Sequence, residues 1–322
     1  MKKLLEKIKK IIFSIAKLIK ILVVNISQYV LFCYIWKFPY TDEKILSMPK
    51  EKYPSYLKKK YFIETGDIIN YKKPKHVGEQ LQLLKLYDNT PLKTQLTDKI
   101  LVRDWIKEQI GEEYLKPVYW VGDKFDDIPF DTLPDDFYIK TNHGCKWHMH
   151  IKDKNKLLAE KPLYVYVKKK FEKWLNSKFG VQNLELQYLN IEPKLFIEEN
   201  VNKNNENGNI DIEVWCFNGK AKHIKKVKYL DSNRNYTVIY DRDFNAIKIA
   251  TKSGEITEEF AVCDNLKKAT EFSNQLAKDF KFVRVDWFLS DGKLYFNEMT
   301  FTPCAGFITK NMKLLRKEKI ML

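Results

Sequence analysis

The chain has 322 residues, of which 44% are hydrophobic and 14% aromatic, and it carries a formal net charge of +15. This length and apolar content are ample for a packed core in one large or two coupled domains, and the positive charge attracts phosphate-bearing partners such as nucleotides, anionic lipid or nucleic acid. The five cysteines are scattered without a CxxC pair, which argues against a disulfide framework or a zinc site and predicts a reduced, cytosolic protein.

Residues 1–37 are predicted to form a basic amphipathic helix. Apolar residues such as Leu4, Ile8 and Ile15 recur at steps of three and four, and lysines fill the opposite face, as in helices that lie in a lipid interface. The apolar stretch at 21–36 is shorter than the roughly 20 residues that span hydrocarbon. Packing on the globular body is the alternative, but the lysines favour an anionic membrane surface. We therefore expect a cytoplasmic protein, peripheral on the inner face of the cell membrane.

The next predicted elements are mainly helical. Residues 38–95 are expected to form a helical N-terminal region, with Lys-rich and Pro-containing connectors. Another helix is predicted to begin at Leu96, with Asp98 or Thr97 as its N-cap. The lysine runs of the chain are short and far apart, so they predict solvated faces and no nucleic-acid partner.

A strand–loop–strand unit follows a strand predicted at 117–121. Strands are expected at 137–140 and 147–151, joined by a loop that contains Gly144. A lysine at the end of a strand, here Lys140, and the backbone N–H groups of such a loop suit a polyphosphate, although the signal is weak alone. His143, His148 and His150 lie nearby, but without Cys or carboxylate partners they do not favour zinc.

The second half of the chain alternates strands, turns and helices, which predicts an α+β arrangement of two lobes at about 96–200 and 201–322. The predicted elements are a helix at 165–179, a strand at 193–200 that ends on Glu198 and Glu199, a turn at 204–209, strands at 211–217 and 220–228, and a helix at 265–280.

A hairpin with two carboxylates is predicted near the C-terminus. The runs 282–288 and 294–300 flank Asp291-Gly292, a strong hairpin signal. A two-residue loop would place Asp286 opposite Asn297, whereas a three-residue loop or a bulge would place Asp286 opposite Glu298. Acidic side chains are seldom buried unpaired, so a Mg²⁺ ion between the two carboxylates is one interpretation. A solvated hairpin with lysine or Arg284 partners is the other.

The order of these motifs resembles the TupA-like branch of the ATP-grasp superfamily, which is associated with teichuronopeptide and other surface-polysaccharide biosynthesis. The matching stretches are Thr97–Lys99 with Val102–Arg103, Ile128–Pro134, Phe137–Gly144, Tyr188 with Glu198–Glu199, Trp215–Lys220, Val283–Asp286 and Glu298–Pro303. The resemblance covers roughly residues 80–310. It implies an α+β, ATP-grasp fold at 96–322, in which two lobes enclose the nucleotide.

The resemblance also implies roles for individual residues. Lys140 and Arg284 are the expected catalytic residues: Lys140 is expected to contact phosphate, and Arg284 either to neutralise a phosphate or simply to pair with Asp286. The expected nucleotide contacts are Lys99, Lys140, Asn142, His143, Gly144, Glu198 and Glu199. The expected Mg²⁺ ligands are Asp286, Glu298 and Thr300. Because both acids must reach one ion, a simple two-residue Asp291-Gly292 turn is not expected.

Two positions depart from the family pattern. Thr300 stands where many ATP-grasp enzymes have Asn, and Glu213 stands where the branch often has Lys.

The implied activity is an ATP- and Mg²⁺-dependent carboxylate–amine ligase that acts through an acyl phosphate. The expected partners are ATP, a glycan or lipid-linked glycan acceptor, and an amino acid or other amine. The alternatives are a kinase-like transfer to a sugar hydroxyl, a glycosyltransferase role in the same pathway, and a non-catalytic membrane scaffold.

Overall fold

A computed structural model describes residues 40–202, 210–229, 235–309 and 312–321. The chain divides into a unit that ends at Lys52 and a unit that begins at Tyr53. In the first unit, helix α1 (Asp42–Leu46) begins after Thr41, whose side chain accepts a hydrogen bond from the amide of Lys44. The predicted amphipathic helix at 1–37 and the turn at 204–209 lie outside the described residues. No helix in the described part of the chain is long and apolar enough to cross a membrane.

Two helices of the second unit begin after a residue whose side chain caps the helix N-terminus. Thr90 caps α4, with Pro91 in its first turn, and Asp153 caps α6, as expected for residues that satisfy free N–H groups. The helices are α2 (Tyr53–Thr65), α3 (Val77–Tyr87), α4 (Pro91–Thr97), α5 (Leu101–Ile110), α6 (Lys154–Ala159), α7 (Lys161–Leu175), α8 (Asp264–Ala277) and α9 (Lys313–Arg316).

The first sheet contains four antiparallel strands, in the order β1-β4-β2-β3. They are β1 (Val118–Gly122), β2 (Phe137–Thr141), β3 (His148–Ile151) and β4 (Leu195–Glu199). Phe137 and Ile139 of β2 pack into a core with Phe171 of α7. Because side chains alternate along a strand, Tyr138 and Lys140 lie on the other face, beside Glu198 of β4.

The second sheet contains six antiparallel strands, in the order β10-β9-β5-β6-β7-β8. They are β5 (Ile210–Phe217), β6 (Lys220–Tyr229), β7 (Asn235–Asp241), β8 (Ala246–Ala250), β9 (Phe282–Ser290) and β10 (Lys293–Thr300). Val285 and Trp287 of β9 are buried in a core with Leu276 of α8, and Trp287 Nε1 donates to Ser273 Oγ of that helix at 2.8 Å. Alternation places Arg284 and Asp286 on the opposite face.

The β9–β10 hairpin has the two-residue turn that was not expected, together with the bulge that was one of the alternatives. Ser290 pairs with Lys293, so the loop is the two-residue Asp291-Gly292 turn that was not expected. Both turn residues have positive φ, 48° and 73°, as a type I′ turn requires. The register shifts between Phe296 and Glu298, and this bulge places Glu298 opposite Asp286. The turn prediction was wrong, but the two acids still share one face.

The turn predicts a stability effect for Gly292→Ala. Nothing lies within 4 Å of an added Cβ, so the cost arises from the left-handed backbone alone. We expect the free energy of unfolding in urea to fall by about 1 kcal/mol. Asp291→Asn is the control, because Asn tolerates positive φ and should leave stability nearly unchanged. Equal stability of Gly292→Ala and the unchanged protein would contradict this assignment.

Several predicted boundaries differ from the observed elements. The helix predicted from Leu96 is divided, since α4 ends at Thr97 and α5 begins at Leu101. Asp98 occupies the break, where its Oδ1 accepts from the amides of Ile100 and Leu101 at 2.8 and 3.2 Å. Helix α7 lies a few residues before its predicted span, and strands β7 and β8 were not predicted.

Candidate functional site

A cavity of about 320 Å³ lies between the two sheets. Lys99, Lys140, Gly144, Glu198, Glu199 and Glu298, all predicted to bind nucleotide or metal, line it. Aromatic side chains provide its apolar walls: Tyr138, Phe196, Phe288 and Phe296. The cavity therefore combines a cationic lining with flat apolar surfaces, a combination suited to the phosphates and base of a nucleotide.

Glu198 is the centre of a buried charge cluster. Lys140 Nζ donates to its carboxylate, and Lys116 Nζ lies 3.4 Å from Glu198 Oε2. Although burial opposes ionisation, the ammonium groups of Lys116 and Lys140 hold the pKa of Glu198 at about 2. Arg103 Nη2 donates to the carbonyl of Lys116 at 2.7 Å and so supports the cluster. Two ammonium groups around one carboxylate leave a net positive charge that favours an anionic ligand.

Lys116 gives the cluster a predicted pH dependence. Burial lowers the pKa of Lys116 from 10.5 to about 8, despite the opposing effect of Glu198. Between pH 8 and pH 10.5, the Lys116 side chain is protonated in more of the unfolded chains than of the folded chains. The free energy of unfolding therefore rises with pH in this range. From pH 7 to pH 9.5, we expect the unfolding free energy of the unchanged protein to increase relative to Lys116→Met by on the order of 1 kcal/mol. A difference that does not change with pH, in urea titrations at both values, would contradict the burial of this ammonium group.

The loop after β2 is held in place by Lys99, which lies between helices α4 and α5. Lys99 Nζ donates to the carbonyl of Gly144 at 2.7 Å, and the Lys99 amide donates to the carbonyl of Asn142 at 3.2 Å. A Cβ on Gly144 would lie 2.3 Å from the Trp147 ring, so this position requires glycine for close approach. Lys99 thus holds the loop while its side chain also lines the cavity.

Asn142 and His143 do not line the cavity. Their exposed fractions are 1% and 2%. Asn142 Nδ2 donates to Asp98 Oδ2 at 2.9 Å, and its Oδ1 accepts from the Lys194 amide at 2.8 Å. His143 Nε2 lies 3.1 Å from the carbonyl of Trp174. In this placement both side chains hold the loop in position, and the prediction of direct nucleotide contact through them finds no support in their geometry.

The acidic face of the second sheet consists of Glu213, Asp286 and Glu298, which lie opposite one another on β5, β9 and β10. Arg284 Nε and Nη2 donate to the two oxygens of Asp286 at 2.6 and 2.5 Å, and Arg284 Nη2 lies 3.7 Å from Glu298 Oε1. Thr300 Oγ1 donates to Glu298 Oε1 at 3.2 Å. The expected metal ligands and Arg284 are therefore brought together beside the cavity.

The chemistry of the acidic face fits a Mg²⁺ ion. Carboxylates and a hydroxyl are the oxygen ligands that this cation takes. Burial and the carboxylates of Glu298 and Glu213 raise the pKa of Asp286, against the effect of Arg284, so an added cation here would favour the ionised form. Arg284 holds both oxygens of Asp286, and no group of three His, Cys, Asp or Glu residues in the described chain is already arranged around a metal position. A metal would therefore share Asp286 with Arg284.

Sequence reasoning missed some residues that line the cavity. Lys116 precedes β1 and reaches both sheets, because its Nζ also donates to Asn297 Oδ1 at 3.0 Å. Asp211 also lines the cavity, where burial and the neighbouring Glu213 raise its pKa to about 6. The motif Leu115-Lys116-Pro117 matches no sequence pattern that marks a phosphate or metal site.

Comparison with family models shows to which family the chain belongs. The model of the TupA-like ATP-grasp family matches residues 79–317, well over half of the chain. The chain belongs to the TupA-like ATP-grasp family. This membership confirms the predicted α+β ATP-grasp fold. No match was found among curated proteins.

Several solved structures are similar to this chain, with low sequence identity and low TM-scores. D-alanine–D-alanine ligase from Bacillus anthracis has 17% identity and a TM-score of 0.37, over 64% of this chain and 56% of that one. The ATP-grasp ligase PsnB with minimal precursor, Mg and ADP has 12% identity and a TM-score of 0.38, over 75% and 62%. N5-carboxyaminoimidazole ribonucleotide synthetase from Thermus thermophilus has 10% identity and a TM-score of 0.37, over 71% and 49%. This TupA-like chain spans about half to two thirds of their lengths.

Proposed function

We propose that the protein is an ATP- and Mg²⁺-dependent carboxylate–amine ligase. The single observation that carries the proposal is the cavity between the sheets, with Lys99, Lys116 and Lys140 around it and Glu298 of the acidic face at its border. Lysines offset phosphate charge, and an acidic face holds the cation that accompanies ATP. The family membership of the chain supports the same interpretation.

The proposed reaction passes through an acyl phosphate. An oxygen of the acceptor carboxylate attacks the γ-phosphorus of ATP, and ADP leaves. The amine nitrogen then attacks the acyl carbon, phosphate leaves, and the nitrogen loses a proton to give the amide. Bound Mg²⁺ supplies neutralisation of phosphate charge in this scheme. The protein positions the reactants and stabilises the developing charge. Lys140 contacts the transferred phosphoryl group, Arg284 lies beside that group, and the Gly144 loop covers the phosphates.

The acceptor is proposed to be a cell-surface polysaccharide or its lipid-linked precursor, with an amino acid or another amine as the second substrate. The motifs shared with a family associated with surface-polysaccharide biosynthesis support this proposal. The basic amphipathic pattern at 1–37 supports a peripheral location on the inner face of the cell membrane, where lipid-linked precursors are available.

Product analysis tests the proposed activity. The full-length protein is incubated with ATP, Mg²⁺, uronic-acid glycans and a mixture of amino acids, and products are examined by mass spectrometry. We expect an amide mass shift together with release of ADP and inorganic phosphate, and no product without Mg²⁺. A phosphorylated sugar without free phosphate would replace the proposal by a kinase. Consumption of a sugar nucleotide without ATP turnover would replace it by a glycosyltransferase.

A further inference from the structure

Lys116 contacts both sheets of the nucleotide site through one ammonium group. Its Nζ lies 3.4 Å from Glu198 Oε2 of β4, donates to Asn297 Oδ1 of β10 at 3.0 Å, and lies 4.9 Å from the centre of the Phe288 ring of β9. An ammonium group has three N–H donors, and the face of an aromatic ring attracts it. Lys116 therefore contacts the first sheet and both strands of the β9–β10 hairpin.

The backbone of Lys116 is held on both sides. Arg103 Nη2 of α5 donates to the Lys116 carbonyl at 2.7 Å, and Pro117 restricts the residue before it to extended conformations. The Pro117 carbonyl in turn accepts from the Glu199 amide of β4 at 2.9 Å. Lys116 is only 7% exposed, so packing also restrains its side chain. The position of the ammonium group is thus determined by the first sheet and by α5.

Asn297 is the residue that the bulge of β10 leaves without a cross-strand partner. The register shifts between Phe296 and Glu298, and the extra residue brings Glu298 opposite Asp286. Without this residue, the alternation of side chains along β10 would turn Glu298 to the other face of the sheet. Strand β10 is also an edge strand, and no other described strand pairs with its outer side. The bond from Lys116 to Asn297 Oδ1 therefore holds the bulge from outside the ladder.

Glu198 joins this contact to the phosphate end of the cavity. Its carboxylate accepts from Lys140, the residue proposed to contact phosphate, and lies beside Lys116. At the other end, Asn297 immediately precedes Glu298, a proposed metal ligand. A continuous series of contacts thus leads from Lys140 to the backbone that carries Glu298.

We propose that Lys116 is a positioning residue for the Mg²⁺ site, because through Asn297 it holds the bulge that presents Glu298 beside Asp286. This inference rests on the proposed function, since it assumes that the acidic face takes the Mg²⁺ that accompanies ATP. Lys116 acts on a metal ligand and not on the metal. Residues that orient metal ligands in this way typically change metal affinity by about 10–100-fold when they are replaced.

Nucleotide binding to the full-length protein at a series of Mg²⁺ concentrations tests this inference. Calorimetry with a non-hydrolysable ATP analogue gives the affinity in EDTA and the Mg²⁺ concentration that produces half of the full gain in affinity. The variants are Asn297→Ala, Lys116→Met and the two combined, and Asn297→Asp is the conservative variant that keeps an oxygen acceptor for Lys116. The control is Asn155→Ala, at an exposed position on α6. Thermal unfolding shows which proteins are folded.

We expect Asn297→Ala to need about tenfold more Mg²⁺ than the unchanged protein, while its affinity in EDTA stays within about twofold. Lys116→Met should need as much Mg²⁺ as Asn297→Ala, and should also bind more weakly in EDTA, because Lys116 lines the cavity. The combined variant should need no more Mg²⁺ than Lys116→Met, since both substitutions remove the same contact. Asn297→Asp and Asn155→Ala should keep the Mg²⁺ response of the unchanged protein.

Three results would overturn the inference and leave the proposed function intact. They are a normal Mg²⁺ response in Asn297→Ala, a further loss of the response when the two substitutions are combined, and a response of Asn297→Asp as weak as that of Asn297→Ala. Weaker binding of Asn297→Ala in EDTA would also overturn it, because Asn297 would then be a direct nucleotide contact. Absence of nucleotide binding to the unchanged protein, or binding that Mg²⁺ does not strengthen, would overturn the proposed function together with the inference.

Discussion

Glu298→Gln is expected to reduce ATP-dependent product formation by about 10²–10³-fold. Glu298 lies opposite Asp286 and lines the nucleotide cavity. Although burial opposes ionisation, Lys99 and Arg284 lower the pKa of Glu298, so its carboxylate is available to a cation at neutral pH. Glutamine keeps the shape and one oxygen but removes the negative charge that Mg²⁺ requires.

Binding measurements distinguish loss of Mg²⁺ binding in Glu298→Gln from loss of its fold. Nucleotide binding to Glu298→Gln without Mg²⁺ should resemble that of the unchanged protein, whereas the gain in affinity on adding Mg²⁺ should disappear. Glu271→Gln on α8, at an exposed position, is the matched control and should retain full activity. Normal turnover and a normal Mg²⁺ response in Glu298→Gln would remove this residue from the metal site.

Lys140→Met is expected to lower kcat/KM for ATP by about 10²-fold or more, because an ammonium group that offsets phosphate charge is lost. The fold should tolerate the change, since Glu198 keeps Lys116 Nζ at 3.4 Å and the Lys140 side chain is already 17% exposed. Lys140→Arg should have intermediate activity, because it keeps the charge but differs in shape and hydration.

The control for Lys140 is Lys152→Met, an exposed lysine just after β3. It should bind and turn over ATP normally, and thermal unfolding should show all of these variants to be folded. If Lys140→Met bound and used ATP as well as the control, Lys140 would serve only as the ion-pair partner of Glu198, and the phosphate contact would pass to Lys99 or Lys116.

The hairpin shows how far local sequence determines this site. Asp291-Gly292 specifies a two-residue turn through its tolerance of positive φ, and that turn alone would separate the two acids onto different faces. The bulge at Asn297 restores their alignment. Asn297 Oδ1 accepts from Lys116, a residue distant in the sequence, so this long-range contact could not be found by a local pattern. Sequence reasoning therefore found the acids but not the backbone that aligns them.

Other differences have similar causes. Asn142 and His143 follow Lys140 closely in the chain, yet they turn inward because Asp98, Lys194 and Trp174 bind them. Strand β8 is exposed along its whole length, so it lacks the apolar alternation on which strand prediction depends. The strands and motifs with strong alternation, such as β2 and β9, were predicted close to their observed bounds.

Calorimetric titration of the full-length protein with ATP, with and without Mg²⁺, tests the central claim most directly. The cavity between the sheets predicts saturable binding at one site, stronger with Mg²⁺ and much weaker in Lys140→Met. Absence of ATP binding under both conditions would contradict the assignment of this cavity as a nucleotide site.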